Sequence, residues 1–355
     1  MTKRLSRTTG LLAALGAAGW LAGCASLDGG GNSDSKSAAQ KVSESAAVMV
    51  PDPPSRPGTP FVLIVMPPSG PFQEVRHSLT AELKRGFNVA TLVVTPGIGT
   101  PELKAALQRT APQCVVLMNN TSVRLYRDYQ RSQPPASTPP AVIVMTTFLE
   151  DIREEVSRST GISYEVPGVT AFVSLRAIVN KPVARVGVIH AKYERRFIER
   201  QKLLASKEHV SLVPIQVSDD PSATEIQEAL AKFDRDRSVD ALWVLNDNRL
   251  LRNGAFLSEA WRPGVDALGG PVIVGAAPLL EAEDRFGTFA ILPDHDALGV
   301  QTANLILDVA DDGWRVEEHP IELPLATITV VDVATARQKF GVRENALQRV
   351  DRALQ

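Results

Sequence analysis

The sequence predicts an α/β protein of two lobes, each built on a parallel sheet. Three observations carry that expectation. From Pro60 onward, short β-branched apolar runs alternate with amphipathic stretches of helix length. The runs are continuously apolar, which marks strands covered on both faces, as in parallel sheets. Roughly 300 residues of this alternation are too many for one sheet and one core, so two lobes are expected.

The elements follow in order. Phe61 to Met66 is the first strand-length run, and the stretch from Gln73 to Arg85 is its helix. Val89 to Val94 follows, then a helix from Thr100 in which Pro101 takes a favoured first-turn place. Val115 to Met118 precedes a helix over Val123 to Arg131, and Ala141 to Met145 precedes one over Leu149 to Ser159. The beat resumes with Val186 to Ile189 and a helix over Glu194 to Ser206. Val210 to Val217 is followed by a helix over Ala223 to Asp234, then come Ala241 to Leu245 and Val272 to Val274. Beyond these, Gly287 to Leu292 and Leu325 to Val331 read as strands, with helices at Ala297 to Ala310 and Thr335 to Phe340. A chain that has filled its second lobe must place these extra elements somewhere, and crossing back between lobes is the economical solution. Two Rossmann-like lobes joined by crossing strands are therefore expected: 59–167 plus about 291–318 for the first, 168–290 plus about 319–345 for the second.

Ahead of the domain lies an address. Lys3, Arg4 and Arg7 give a positive start without acids, and Gly10 to Ala22 is an apolar run. That run is shorter than the roughly 20 residues a membrane-spanning helix needs. Leu21-Ala22-Gly23-Cys24 resembles the bacterial lipobox, which implies a signal peptide over 1–23, diacylglyceryl on the Cys24 sulfur and cleavage before it. An ordinary signal peptide with an incidental cysteine is the alternative. Two acyl chains meet the two-signal requirement for stable anchoring. Residue 25 is alanine, not the aspartate that holds such proteins at the inner membrane of enteric bacteria, so a periplasm-facing place on the outer membrane is expected over the inner one. Residues 24–58, rich in Gly, Ser, Ala, Asp and Pro, are expected to be a flexible lipid-anchored linker spanning roughly 30 Å.

Charge and cysteine content narrow the classes. The formal net charge is -2, and removing the three bases of 1–23 leaves about -5. That balance argues against a nucleic-acid partner. With Cys24 acylated, Cys114 has no disulfide partner, and its place in Cys114-Val115-Val116-Leu117-Met118 suits a buried small hydrophobe. There is no P-loop, no G-x-S-x-G elbow, no H-E-x-x-H and no paired-cysteine zinc site, so no enzyme, cofactor or metal is expected. Asp294-His295-Asp296 matches no standard metal spacing.

Several segments resemble the substrate-binding proteins of ABC transporters, in the group with tryptophan- and tyrosine-binding members. Val166-Pro167-Gly168-Val169-Thr170 resembles its N-V-T-G-V-S crossover, and Ala184-Arg185-Val186-Gly187-Val188-Ile189 its K-R-I-G-V-L-Y strand. Asp240 to Asn248 is similar to D-A-I-Y-V-P-x-D-N. Asp294-His295-Asp296-Ala297-Leu298-Gly299 stands where D-Y-Y-E-L-G is usual, and Val331 to Ala336 where I-N-L-K-T-A is usual. The resemblance spans about 180 residues in order and implies the type I periplasmic-binding-protein fold. The first lobe departs from it. Asn119-Asn120-Thr121-Ser122-Val123 replaces G-T-P-A-A, Thr146-Thr147-Phe148 replaces T-D-P, and Pro67 to Phe72 is closer to the leucine-binding branch.

In open α/β sheets a ligand lies beyond the C-terminal ends of the strands, against helix N-termini. The candidate ligand-binding residues at such ends are Ser69, Asn119, Thr121, Ser122, Thr146 and Thr147 in the first lobe. In the second they are Tyr193, Asp247 and Asn248, with Asp247 placed to pair with a ligand ammonium. Phe148, Tyr193 or Phe286 is expected to pack against a ligand side chain. Thr121, Ser122, Thr147 and the Asp247-Asn248 pair read equally well as helix caps that need no ligand. His190 reads first as a structural histidine.

The expectation is thus a monomeric, lipid-anchored protein that closes on a small-molecule ligand, an amino acid or similar carboxylate, and hands it to an ABC permease. The alternative keeps the fold as an interaction or sensing module for another envelope protein. It gains from outer-membrane placement and from the altered first-lobe loops.

Overall fold

The computed structural model describes residues 49–52, 56–134, 136–236, 238–282 and 285–355. The expected signal peptide, Cys24 and most of the expected linker lie outside the described residues. The strands are β1 (Met49–Asp52), β2 (Phe61–Met66), β3 (Asn88–Val93), β4 (Cys114–Met118), β5 (Ala141–Val144), β6 (Ser159–Gly161), β7 (Arg185–Ala191), β8 (Ser211–Val217), β9 (Ala241–Val244), β10 (Val272–Val274), β11 (Phe289–Pro293), β12 (Thr327–Asp332) and β13 (Arg352–Leu354). The helices of the first half are α1 (Gly70–Leu83), α2 (Thr100–Thr110), α3 (Asn120–Arg131), α4 (Leu149–Arg153), α5 (Gly168–Ile178) and α6 (Arg195–Lys207). Those of the second are α7 (Ala223–Arg235), α8 (Asn248–Leu251), α9 (Gly254–Phe256), α10 (Arg262–Leu268), α11 (Pro278–Glu281), α12 (His295–Asp311) and α13 (Val333–Lys339).

They form two sheets, ordered β1-β3-β2-β4-β5-β6 and β13-β12-β11-β10-β9-β7-β8. Both are α/β sheets of mainly parallel strands, as the unbroken apolar runs require. The exceptions are β1, antiparallel to β3, and β12, antiparallel to β11. In the first lobe one apolar cluster, around Ile64, Val116 and Leu79, covers one sheet face, and another, around Leu63, Val115 and Leu103, covers the other. The second lobe has its own core, with Trp243, Phe233, Trp261 and Phe289.

The chain passes between lobes three times. It leaves β6 for α5 through residues 162–167, returns from β11 into α12, and leaves again through the segment before β12. Ile162 pairs with Glu322 in an isolated parallel bridge, so the first and third crossings run side by side. After the second crossing α12 lies along α1 of the first lobe. Their approach is close: a Cβ on Gly299 would stand 2.5 Å from the Val75 carbonyl oxygen.

Three local expectations are corrected. Met49–Asp52, read as part of a tether, pairs with Leu92 to Val89 as an edge strand. The helix expected over Leu149 to Ser159 stops at Arg153. Arg158 turns the chain with a φ of 53°, and β6 is drawn into the sheet beside β5. There a Cβ on Gly161 would lie 2.1 Å from the Ile143 carbonyl oxygen, so the pairing demands glycine. Finally, Gly168–Ile178, seen only as a crossover, is a full helix that buries Phe172 and Leu175.

Candidate functional site

The parallel strands of both lobes point their C-terminal ends at the interlobe region, where loops turn into helix N-termini. From the first lobe come Ser69 after β2, Asn119 after β4 and Thr146 to Phe148 after β5. From the second come Ala191 to Glu194 after β7, Asn246 to Asn248 after β9 and Gly275 after β10.

Most of the candidate polar residues are committed within the chain. The Asn119 side chain, at a φ of 77°, accepts the Ser122 N–H at 2.9 Å and caps α3. Asn120 accepts the Thr147 N–H and donates to its carbonyl and hydroxyl oxygens, clipping the β4 and β5 loops together. Thr121 is exposed, Ser69 is half-buried at the α1 N-cap without a side-chain cap bond, and Thr146 is fully buried. Ser122 is fully buried too, and its hydroxyl finds no partner. In the second lobe the Tyr193 hydroxyl donates to Asp247 Oδ2 at 2.5 Å, while Asp247 Oδ1 accepts the N–H groups of Arg249 and Leu250. Burial, then the charge of Asp247, raises the Tyr193 hydroxyl pKa. Asn248 is exposed. None of these nine residues lines the cavity between the lobes.

That cavity has about 40 Å³ and is walled by Phe148, Tyr164 and Glu165 on one side and Phe197, Trp243 and Asn246 on the other. A drug-sized ligand occupies roughly 300–1,000 Å³, so this space suits a few water molecules. Phe148 forms part of its wall. It sits in the left-handed region at a φ of 57°, and its ring meets Phe197 of α6 edge-on with centroids 5.2 Å apart. Phe197 in turn packs on Trp243 at 5.9 Å. Although Phe148 belongs to the first lobe, its side chain joins the core of the second. Beside it Arg200 of α6 reaches Glu150 at 2.7 Å and Asp151 at 3.3 Å, a second tie between lobes.

The electrostatics of the region are acidic. Glu165 Oε1 accepts the Phe148 N–H at 2.7 Å, yet burial pushes its carboxyl up to about 7. Glu194 is 1% exposed. Its Oε2 accepts the Ala191 N–H at 2.5 Å and its Oε1 has no partner. Burial, with the nearby charges of Asp247, Glu165 and Asp219, pushes that carboxyl up to about 9. At the hinge, Tyr164 pairs with His295 at 3.0 Å and His295 with Glu74 at 2.7 Å.

The remaining candidates are structural. Phe286 does not reach the cleft but stacks on Trp261 in the second core. His190 is buried, its Nδ1 2.8 Å from the Ala191 carbonyl, and burial lowers its pKa. Cys114 is buried and its thiol is pushed up to about 12 by burial. Asp294 caps α12 through the Ala297 N–H. Among the described residues no group of acids, histidines and cysteines is arranged to hold a metal. Sequence reasoning missed Tyr164, Glu165, Glu194, Phe197 and Trp243. Phe197 and Trp243 look like any core position of a helix and a strand, and only the packing of the two lobes makes them cavity walls.

Comparison with solved structures places this geometry in a known fold. A Streptococcus pneumonia ABC domain in complex with L-Trp matches at a TM-score of 0.56 and 15% identity, covering 83% of this chain and 100% of that one. A conserved domain protein from Vibrio cholerae matches at 0.58 and 17%, covering 83% and 99%. A ligand-free, open substrate-binding protein with adhesive properties from Clostridium difficile matches at 0.61 and 12%, again covering 83% and 99%. The chain has the type I periplasmic-binding-protein fold. No protein-family model matches it, and no curated protein matches it in sequence.

Proposed function

We propose that this chain is an exported, lipid-anchored solute-binding protein without catalytic activity, which takes a small solute of the amino-acid class between its lobes and delivers it to an ABC importer. The observation that carries the reading is the interlobe cavity itself. It lies at the carboxyl ends of β9, β10 and β11, against Phe148 of the first lobe and the crossing at Tyr164 to Val166, and aromatic rings and a carboxylate wall it. Because the closed space is so small, a solute must enter an open form and displace Phe148 from Phe197. Closure around the solute is then a population shift driven by contacts to both lobes. The anchor at Cys24 supports an extracytoplasmic place, and no helix among the described residues is long and apolar enough to cross a membrane.

One observation favours a second reading, an envelope interaction module that no longer binds solute. Phe148 and the Arg200 ties close the cleft with protein side chains alone. A thermal-shift screen of the full chain in mild detergent, against amino acids, amines, organic acids and short peptides, separates the two. A ligand at 100 times its Kd adds about 2.7 kcal/mol, enough to raise Tm by a few degrees. One saturable hit supports the solute binder; a flat response across the panel moves the assignment to the interaction module.

A further inference from the structure

Acidic side chains gather at and beside the cavity. Glu165 walls the cavity, Glu194 lies within electrostatic reach of it, and Asp247 and Asp219 stand close to Glu194. Two nearby arginines are engaged elsewhere. Arg200 is tied to Glu150 and Asp151, and Arg249 lies over the Tyr193 ring at 4.9 Å with one nitrogen toward the Asp219 carbonyl. Glu194, near Glu165, adds a further acid: its side chain is almost wholly buried and its Oε1 has no hydrogen-bond partner. A carboxylate that faces an apolar cavity, as that of Glu165 does, is costly when unpaired, and a positive group supplied from outside removes the cost.

The walls point the same way. Phe148, Tyr164, Phe197 and Trp243 surround the space beside Glu165. Aromatic faces attract cations through their quadrupoles, most strongly where water is excluded, and Trp is the best of them. No arginine or lysine lines the cavity to receive a carboxylate.

We propose that the interlobe site recognises an organic ammonium group, primary or quaternary, on an apolar body, with Glu165 as its counter-ion, Glu194 behind it and the four rings around it. This deepens the solute-binding reading and rests on it. The ammonium is the recognised feature of the solute, whether or not the solute also carries a carboxylate. The lobes part at Phe148 and Phe197 to admit it.

Isothermal titration of the full chain in mild detergent with two matched pairs tests the proposal. One pair is 2-phenylethylamine and 3-phenylpropionate; the other is choline and its neutral isostere 3,3-dimethyl-1-butanol. At least one cation should bind ten times more tightly than its partner, and Glu165→Gln should weaken it at least tenfold. Glutamine at 165 keeps an acceptor for the Phe148 N–H, so the loop stays in place. Affinity should also rise about tenfold from pH 6 to pH 8 as a carboxyl titrating near 7 ionises. Equal binding within both pairs, tighter binding of 3-phenylpropionate, or cation binding that survives Glu165→Gln overturns the proposal. Binding of 3-phenylpropionate alone leaves the solute-binding reading standing. Silence from both cations overturns this proposal, and silence across the wider thermal-shift panel as well removes the solute-binding reading with it.

Discussion

Asp247 shows how a functional expectation and a structural one divide at a single residue. Its place at the end of β9 was legible in Asn246-Asp247-Asn248, and so was its capping role. Its third bond, to the Tyr193 hydroxyl 54 positions away in the chain, was not, because no local pattern encodes it. Glu194 was less legible still. In sequence it is one charge among Tyr193-Glu194-Arg195-Arg196, and only the fold buries it. That burial has a thermodynamic consequence. Folding raises its pKa from 4.5 to about 9, so across that window the native state holds a proton that the unfolded state releases. Stability therefore falls as pH rises, and Glu165 adds to the trend up to about 7. Thermal melts should show Tm dropping between pH 5 and pH 8, with Glu194→Gln giving a flatter profile and a higher Tm at pH 8. Identical profiles for the two proteins would contradict the buried, unpartnered carboxyl.

At the scale of elements, the long apolar runs gave the clearest signal. β2, β4 and β5 are almost wholly buried and fall where continuous Val, Ile and Leu place them. Elements held by pairing alone were not legible. β6 is only Ser159–Gly161, β13 only Arg352–Leu354, and β1 is only Met49–Asp52, running into a proline-rich stretch. β6 and β13 have no apolar run of their own, that of β1 is the short Ala46 to Val50, and each strand lies at a sheet edge that receives it. Helix α4 is short for the related reason that β6 claims the residues after it. The loop between β5 and α4 then carries the interlobe contact. Removing its buried ring by Phe148→Ala should cost about 3 kcal/mol, at the lower end for a core aromatic because the parted lobes let water into the space. Urea unfolding measures it; a loss under 1 kcal/mol would show that the Phe148–Phe197 contact does not hold the lobes together.

For the whole molecule, the two lobes and the return of the chain across them followed from element count and chain length. What the sequence could not convey was the state of the cleft, since closure depends on how two finished lobes meet. Attachment to the membrane is a separate matter at this scale. Cys24→Ser should abolish incorporation of labelled palmitate and move the protein from the membrane to the soluble fraction; unchanged fractionation would remove the anchor from the account. The central claim is that the lobes open and close on a solute. Spin labels at Glu154→Cys and Leu203→Cys stand on exposed positions of opposite lobes, while Cys114 is buried beyond the reach of the label. Pulsed electron-spin distance measurement should find two interlobe distances in the free protein, collapsing to the shorter one when a cation from the titration is added. One short distance, unchanged by every solute, would contradict a working hinge and leave a permanently closed module.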